Sequence, residues 1–218
     1  MSRWTVEARA AAVDAVFARA PVIPVISIDR LEQAVPLARC LVEAGLPVLE
    51  ITLRTEVAMA AIRAMAAEVP DACVGAGTVL SGVDLENVAE AGAEFAISPG
   101  ATERLYSAAE LAAVPLIPAI ATASELMRGL EHGHRRFKFF PAEAAGGVRA
   151  LKSLSGPFAQ AKFCPTGGID LAKAPSYLAL SNVLTIGGSW MLPSEALDAG
   201  DYAAIGRLAA EAASLRKA

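Results

Sequence analysis

The stretch VLEITLRTEVAMAAIRAMAAEVPDACVGAGTV, residues 48–79, contains the pattern from which the fold class is predicted. It opens with a short apolar and β-branched run (48–53), continues with an alanine-rich segment of helical period (56–69), and ends in a second apolar run (73–79). Continuous apolar runs are typical of parallel strands that are buried on both faces. The stretch therefore predicts a strand, a crossover helix and a second, parallel strand.

The same alternation recurs along the chain and predicts eight strands, at 22–28, 48–53, 73–79, 94–98, 115–120, 136–140, 162–166 and 183–187. Eight such units in 218 residues match the short end of the (β/α)8, or TIM, barrel range. We predict the α/β class and one (β/α)8 domain over residues 1–218, with an extra N-terminal helix that covers the bottom of the barrel. A flavodoxin-like open sheet is the alternative, but five or six strands would complete it.

Composition excludes several classes of function. Hydrophobic residues make up 55% of the chain and charged residues 19%, and the net charge is −4, so no basic nucleic-acid surface is expected. The longest uncharged run, 174–194, contains two prolines and a glycine pair, so we predict no membrane span. The N-terminal segment reads as an amphipathic helix and not as a signal peptide. Three separated cysteines fit no disulfide or zinc spacing and favour a reducing, cytoplasmic location.

Capping signals predict where some helices begin and end. Asp29 and Thr55 occupy positions where helix N-caps are expected after the first two strands. Gly45 occupies the position of the glycine that commonly follows a helix C-terminus.

The run RFKFFPAE (136–143) places Lys138 among aromatic residues in the sixth strand. Because side chains alternate along a strand, Lys138 and Phe140 share one face. If that face lines the barrel, burial favours the neutral amine, which attacks carbonyl groups and forms Schiff bases. The alternative is a lysine whose charged end extends back to solvent.

The second strand carries a carboxylate in a buried run. Glu50 and Arg54 fall on one face of VLEITLRT, at the end where barrels carry their active sites. One interpretation is that Glu50 moves protons while Arg54 binds a substrate carboxylate through two hydrogen bonds. The other is a structural salt bridge between the two.

Two glycine pairs follow the last two strands, in PTGGI (165–169) and IGGSW (186–190). The loops after strands seven and eight form the usual phosphate site of these barrels, since glycine lets backbone N–H groups approach an anion. Ordinary turn glycines are the alternative. His132 and His134 precede the sixth strand, at the opposite end, so we expect no metal site there.

Several motifs together resemble the class I aldolases that cleave 2-keto-3-deoxy-6-phosphogluconate (KDPG), the KDPG aldolase family. They follow in order along nearly the whole chain: VLEITLRT, VGAGTVL, FAISPG, PLIP, FKFFPAE, GPF, FCPTGGI and IGGSW. FKFFPAE together with FCPTGGI is specific, whereas a glycine pair alone is not. The resemblance implies a (β/α)8 barrel that acts on a phosphorylated keto acid, is commonly a homotrimer, and needs neither a metal nor another cofactor.

The resemblance also implies a role for each matched residue. Lys138 matches the Schiff-base lysine, Glu50 the general acid/base, and Arg54 the ligand of the substrate carboxylate. The other matched positions are Thr78 and Thr166 near the bound pyruvate, Pro99 and Phe140 in the pocket lining, and Gly167, Gly168, Gly187, Gly188 and Ser189 around the phosphate.

The implied reaction splits 2-dehydro-3-deoxy-6-phospho-D-gluconate into pyruvate and D-glyceraldehyde 3-phosphate, in the Entner–Doudoroff pathway. The chain departs from the family's pattern at Ala119 and Ala121, which puts only substrate fit in doubt. Thr166 favours the gluconate substrate, because the related galactonate aldolase typically has valine there. The alternatives are an aldolase for that galactonate epimer or for 4-hydroxy-2-oxoglutarate, a metal-dependent aldolase, a barrel phosphosugar isomerase or epimerase, and a non-catalytic sugar-phosphate binder.

Overall fold

The computed structural model describes residues 3–215 of the chain. Its strands are β1 (Val22–Ile26), β2 (Val48–Thr52), β3 (Cys73–Gly77), β4 (Phe95–Ser98), β5 (Leu116–Ile120), β6 (Arg136–Phe139), β7 (Lys162–Pro165) and β8 (Ile186–Gly188). Its α-helices are α1 (Val6–Phe17), α2 (Ala34–Glu43), α3 (Ala58–Glu68), α4 (Gly82–Glu90), α5 (Glu103–Ala109), α6 (Ala123–Glu131), α7 (Gly147–Ser155), α8 (Ala174–Leu178), α9 (Ser194–Ala199) and α10 (Tyr202–Ala213). Each strand overlaps one of the eight runs predicted from the sequence.

The strands form one closed parallel sheet. They follow chain order from β1 to β7, and β1 also pairs in parallel with β8. Two parallel bridges, Phe163 to Val183 and Thr166 to Gly187, join the segments of β7 and β8. Closure confirms the (β/α)8 barrel and excludes the open flavodoxin-like sheet, which would leave two edge strands.

The apolar runs are explained by burial on both faces of the sheet. Every residue of β2, β3 and β5 is buried. Outward-facing side chains such as Leu49 and Val74 pack in the layer beneath the helices. Inward-facing residues at the amino ends of the strands, such as Val48 and Phe95, form a separate cluster. Each strand therefore needs apolar residues on both sides.

Helix α1 covers the amino ends of the strands. Its residues Val13, Val16 and Phe17 are buried in the inner cluster, against Ile23 and Val48 from β1 and β2. The predicted position of the extra N-terminal helix, at the bottom of the barrel, is thus confirmed. The loops that follow the strands lie at the opposite end of the barrel, at the carboxyl ends of the strands.

Two of the predicted helix starts are wrong. A short 3-10 turn, Leu31–Gln33, separates Asp29 from α2, so Asp29 does not cap that helix. Helix α3 begins after Val57, and the Thr55 hydroxyl donates instead to the carbonyl of Ile28 in the neighbouring loop. The C-terminal prediction is confirmed, because Gly45 follows α2 with a φ of 92°, in the left-handed region that favours glycine. Over residues 3–215, we find no helix with both the length and the apolar character that crossing a bilayer requires.

Candidate active site

Lys138 lies inside the barrel near the carboxyl ends of the strands. It occupies β6 with Ala119 of β5 and Cys164 of β7 as its register neighbours, and it is only 6% exposed. Its ammonium nitrogen Nζ donates to Oε1 of Glu50 at 2.7 Å and lies 5.5 Å from the centre of the Phe140 ring. The lysine therefore points into a confined, largely apolar space and does not extend to solvent.

Glu50 reaches the same space from β2. It is 1% exposed and lies in register between Val25 of β1 and Gly75 of β3. Burying a carboxylate is costly unless it is paired, and the contact with Lys138 supplies the partner. The sequence also allowed a salt bridge between Glu50 and Arg54. In the part of the chain that the structure describes, Glu50 instead pairs with Lys138.

The glycines of β3 make room for this pair. A Cβ on Gly77 would overlap the Glu50 carboxylate, and one on Gly75 would overlap the ring of Phe95. Glycine is therefore needed at positions 75 and 77, because the side chains of Phe95 and Glu50 occupy the space that a Cβ would take.

Arg54 and Thr78 meet at the mouth of the barrel. Arg54 is exposed just beyond β2, and its Nε donates to Oγ1 of Thr78 at 3.2 Å. Thr78 has a φ of 61°, a conformation that a β-branched residue rarely adopts. This backbone turn after β3 brings the hydroxyl to the guanidinium and leaves the remaining N–H groups of Arg54 for other acceptors.

A cavity of about 300 Å³ opens beside Arg54, at the carboxyl ends of β1, β2 and β8. Its polar lining includes Ser27, Asp29, Thr52, Arg54, Ser189 and Ser194. Ser189 is exposed and follows Gly188, where a Cβ would overlap the ring of Trp190. The second glycine pair therefore carries Ser189 to the rim of a polar cavity.

The first glycine pair follows β7. Gly167 and Gly168 have φ values of 108° and 75°, which glycine adopts without strain. Thr166 before them is 5% exposed, and its Oγ1 has no hydrogen-bond partner within the part of the chain that the structure describes. A Cβ on Gly187 of β8 would overlap that hydroxyl group, so the two glycine loops lie against each other.

The remaining predicted site residues lie at the same end of the barrel. Phe140 directly follows β6 and is half-buried, and Pro99 directly follows β4 and is exposed. Two residues with polar contacts to the Gly167-Gly168 loop, Glu143 and Lys173, were not singled out from the sequence, and neither was Tyr177, whose hydroxyl donates to Glu143. Glu143 stands within the motif FKFFPAE, which is the one signal that could have found it.

Cys164, the register neighbour of Lys138 in β7, is a second potential nucleophile. Burial, as the largest cause, raises the pKa of its thiol to about 12, so the thiol stays protonated and unreactive at neutral pH. Among the described residues, no group of three or more His, Cys, Asp or Glu side chains is arranged to hold a metal ion. Lys138 and Glu50 provide this site with an amine next to a carboxylate.

These features define a class: a (β/α)8 barrel with an amine and a carboxylate paired inside the carboxyl end of the sheet. Residues 13–208 match the family model "KDPG and KHG aldolase", and the chain belongs to that family. It is 56% identical over 212 residues to the KHG/KDPG aldolase of Escherichia coli K12, with 97% of each chain covered.

Solved structures lead to the same family. The KDPG aldolase of Legionella pneumophila, with pyruvate captured as a covalent carbinolamine, is 50% identical with a TM-score of 0.90, over 92% of this chain and 98% of that one. The KDPG aldolase of Zymomonas mobilis ZM4 with 3-phosphoglycerate is 48% identical with a TM-score of 0.89, over 94% and 97%. The family expected from the sequence motifs is confirmed.

Proposed function

We propose that the chain is a class I aldolase that cleaves 2-dehydro-3-deoxy-6-phospho-D-gluconate into pyruvate and D-glyceraldehyde 3-phosphate. One observation carries the proposal: the buried Lys138 Nζ lies 2.7 Å from the Glu50 carboxylate at the active-site end of the barrel. The covalent pyruvate adduct of the Legionella pneumophila relative supports Schiff-base chemistry, which draws its electron sink from the substrate and needs no added cofactor.

The first step forms the carbon–nitrogen bond. Transfer of a proton from Lys138 to Glu50 leaves a neutral amine, which attacks the C2 ketone of the substrate. The resulting carbinolamine loses its hydroxyl as water after protonation, and an iminium ion remains. Glu50 is close enough to Nζ to serve both proton transfers.

The iminium ion then accepts the electron pair of the breaking C3–C4 bond. Glu50 takes the proton of the C4 hydroxyl through a bridging water, the aldehyde product leaves, and an enamine of pyruvate remains on Lys138. Glu50 returns a proton to C3, and addition of water to the regenerated iminium frees pyruvate. The lysine and the carboxylate both end in their starting protonation states.

The flanking residues bind the parts of the substrate that do not react. Arg54 binds the substrate carboxylate, with Thr78 and Thr166 near the pyruvate portion and Pro99 and Phe140 lining the pocket. The N–H groups of the two glycine loops and the hydroxyl of Ser189 receive the phosphate. Binding at these remote groups holds C2 of the substrate against Nζ.

Borohydride trapping with pyruvate tests the proposal. Reduction should attach the pyruvate carbons to Lys138 and block tryptic cleavage there, so that FKFFPAEAAGGVR (137–149) appears intact with the added mass. Lys138→Met should remove both the adduct and the activity. Lys162→Met, at the other end of the barrel, should retain both. An unmodified Lys138 at saturating pyruvate would favour an isomerase or epimerase instead.

A second substrate is favoured by the name of one relative. The Escherichia coli protein is a KHG/KDPG aldolase, and KHG denotes 4-hydroxy-2-oxoglutarate. This substrate yields pyruvate through the same iminium but carries a carboxylate where KDPG carries its phosphate end. Release of pyruvate from each substrate, with the galactonate epimer as a third, measures the preference. Unchanged activity with a chelator would argue against a metal-dependent aldolase.

We also propose that residues 1–218 work as a single aldolase domain that assembles into a cytoplasmic homotrimer, as the resemblance to the family implies. Light scattering on the purified chain tests the assembly, because a trimer has three times the 22.5 kDa mass of the chain. The mass of one chain or of two would overturn it. Cell fractionation tests the location.

A further inference from the structure

Glu143, Lys173 and Tyr177 form a polar cluster, here called the clasp, against the outer side of the Gly167-Gly168 loop. One carboxylate oxygen of Glu143 accepts the Tyr177 hydroxyl, and the other lies 3.1 Å from Nζ of Lys173. A Cβ on Gly168 would lie 2.9 Å from Cγ of Glu143, so the clasp is packed directly on the loop.

Two residues of the clasp donate hydrogen bonds to consecutive backbone carbonyls of the loop. The carbonyl of Gly167 accepts from the backbone N–H of Glu143 at 3.1 Å, and that of Gly168 accepts from Nζ of Lys173 at 2.7 Å. In a trans peptide the N–H points opposite to the carbonyl. The N–H groups of Gly168 and Ile169 are therefore directed away from the clasp.

That opposite side of the loop is the side of β8. Thr166 forms a parallel bridge with Gly187, so the Gly187-Gly188 loop flanks β7 there, whereas Glu143 of the clasp, which comes after β6, contacts the loop from the β6 side. Successive N–H groups on a left-handed turn form a concave anion-binding site. The held carbonyls thus orient two N–H groups toward the proposed phosphate position.

The charges of the clasp argue against direct phosphate binding by Lys173. Its ammonium is paired with Glu143 and lies 3.8 Å from Oδ2 of Asp170. One cation between two carboxylates gives a local charge of −1, which does not attract an anion. The Tyr177 hydroxyl, and then Lys173, lower the pKa of Glu143, in keeping with a carboxylate that stays ionised at neutral pH.

We propose that Lys173, held by Glu143, is a positioning residue for the substrate phosphate: it fixes the Gly168–Ile169 peptide so that its N–H faces the anion. The inference rests on the proposed phosphate role of the Gly167-Gly168 loop. It predicts that the clasp affects the phosphate end of the substrate and leaves the chemistry at Lys138 unchanged.

Kinetics with and without the phosphate group test this. In Lys173→Met, KM for the phosphorylated substrate should rise about five- to tenfold, the range expected for one lost hydrogen bond, with kcat within about twofold. For the unphosphorylated 2-dehydro-3-deoxy-D-gluconate, kcat/KM should not change. Lys162→Met is the matched control, because its ammonium also donates to a backbone carbonyl, that of Ser181, at the opposite end of β7.

Glu143→Gln separates positioning from direct binding. The substitution removes the carboxylate that restrains Lys173 but keeps the lysine charge. Positioning predicts a higher KM and weaker inhibition by inorganic phosphate. Direct binding predicts unchanged or tighter phosphate binding and would overturn the proposal. So would equal losses on both substrates, or an unchanged KM in Lys173→Met. If the wild-type protein cleaves neither substrate, it is the proposed function that fails.

Discussion

Nζ of Lys138 and Oε1 of Glu50 lie 2.7 Å apart, although 88 positions separate the two residues along the chain. They belong to β6 and β2, which are not neighbours in the sheet, so the pair spans the barrel interior. Burial gives the pair two consequences. Each group is the natural proton partner of the other, and each is costly to leave alone.

Glu50→Gln should reduce kcat by about 10²- to 10⁴-fold, the usual range for loss of a general acid/base, because the amide cannot take up the protons of the reaction. Pyruvate release in a coupled assay measures this. Glu56→Gln, on the exposed segment just beyond β2, is the control and should keep kcat within about twofold. A Glu50→Gln variant of normal activity would remove Glu50 from the mechanism.

The stability of the buried pair should be strongly non-additive. Either Lys138→Met or Glu50→Gln leaves one buried ionisable group without its partner, a change that typically costs about 3–5 kcal/mol. The double variant leaves no such group and should be more stable than at least the less stable single variant. Urea unfolding of the four proteins gives the coupling energy. Simple addition of the two single effects would show that the groups do not interact.

Gly77→Ala should damage the site without adding any polar group. The new methyl would overlap the Glu50 carboxylate, and overpacking of this kind typically costs about 1–3 kcal/mol. The displaced carboxylate should also lower kcat. Gly206→Ala, within α10, is the control, because outside its own helix and chain neighbours the nearest atom to the new methyl would be Sγ of Cys40, at an ordinary contact distance of 3.4 Å. Equal unfolding midpoints and kcat for the two variants would contradict this account of β3.

His134 should make the fold sensitive to acid. It is 1% exposed near the rings of Tyr106 and Phe137, and burial, followed by the charge of Arg9, lowers its pKa to about 3. In the unfolded chain a histidine titrates near 6.5. Between these values the unfolded state binds the extra proton, so the free energy of unfolding falls as the pH falls.

Comparison with His134→Phe isolates this contribution. The wild-type protein should lose up to about 1.4 kcal/mol per pH unit more than the variant between about pH 6.5 and pH 3. Above about pH 7.5 both curves should run parallel, because His134 is neutral in both states. Parallel curves over the whole range would show that His134 is not buried as a neutral ring.

Much of the site could be predicted because it follows from position within the fold. Lys138, Glu50 and the two glycine pairs were singled out as unusual residues at the carboxyl ends of predicted strands, and the structure places all of them at one end of the barrel. The clasp was missed. Lys173 and Tyr177 are an ordinary helix-region lysine and tyrosine in sequence, and only their contacts to Glu143 distinguish them.

The eight strands and the barrel class could be predicted from the sequence, because burial on both faces of a parallel sheet requires local runs of apolar residues. The family was indicated by motifs such as FKFFPAE and FCPTGGI. The partner of each polar group, in contrast, follows only from the folded structure. Glu50 pairs with Lys138 rather than with Arg54, and Thr55 binds the carbonyl of Ile28 rather than capping a helix. These choices depend on distances across the closed barrel and between loops, which no local pattern of residues contains.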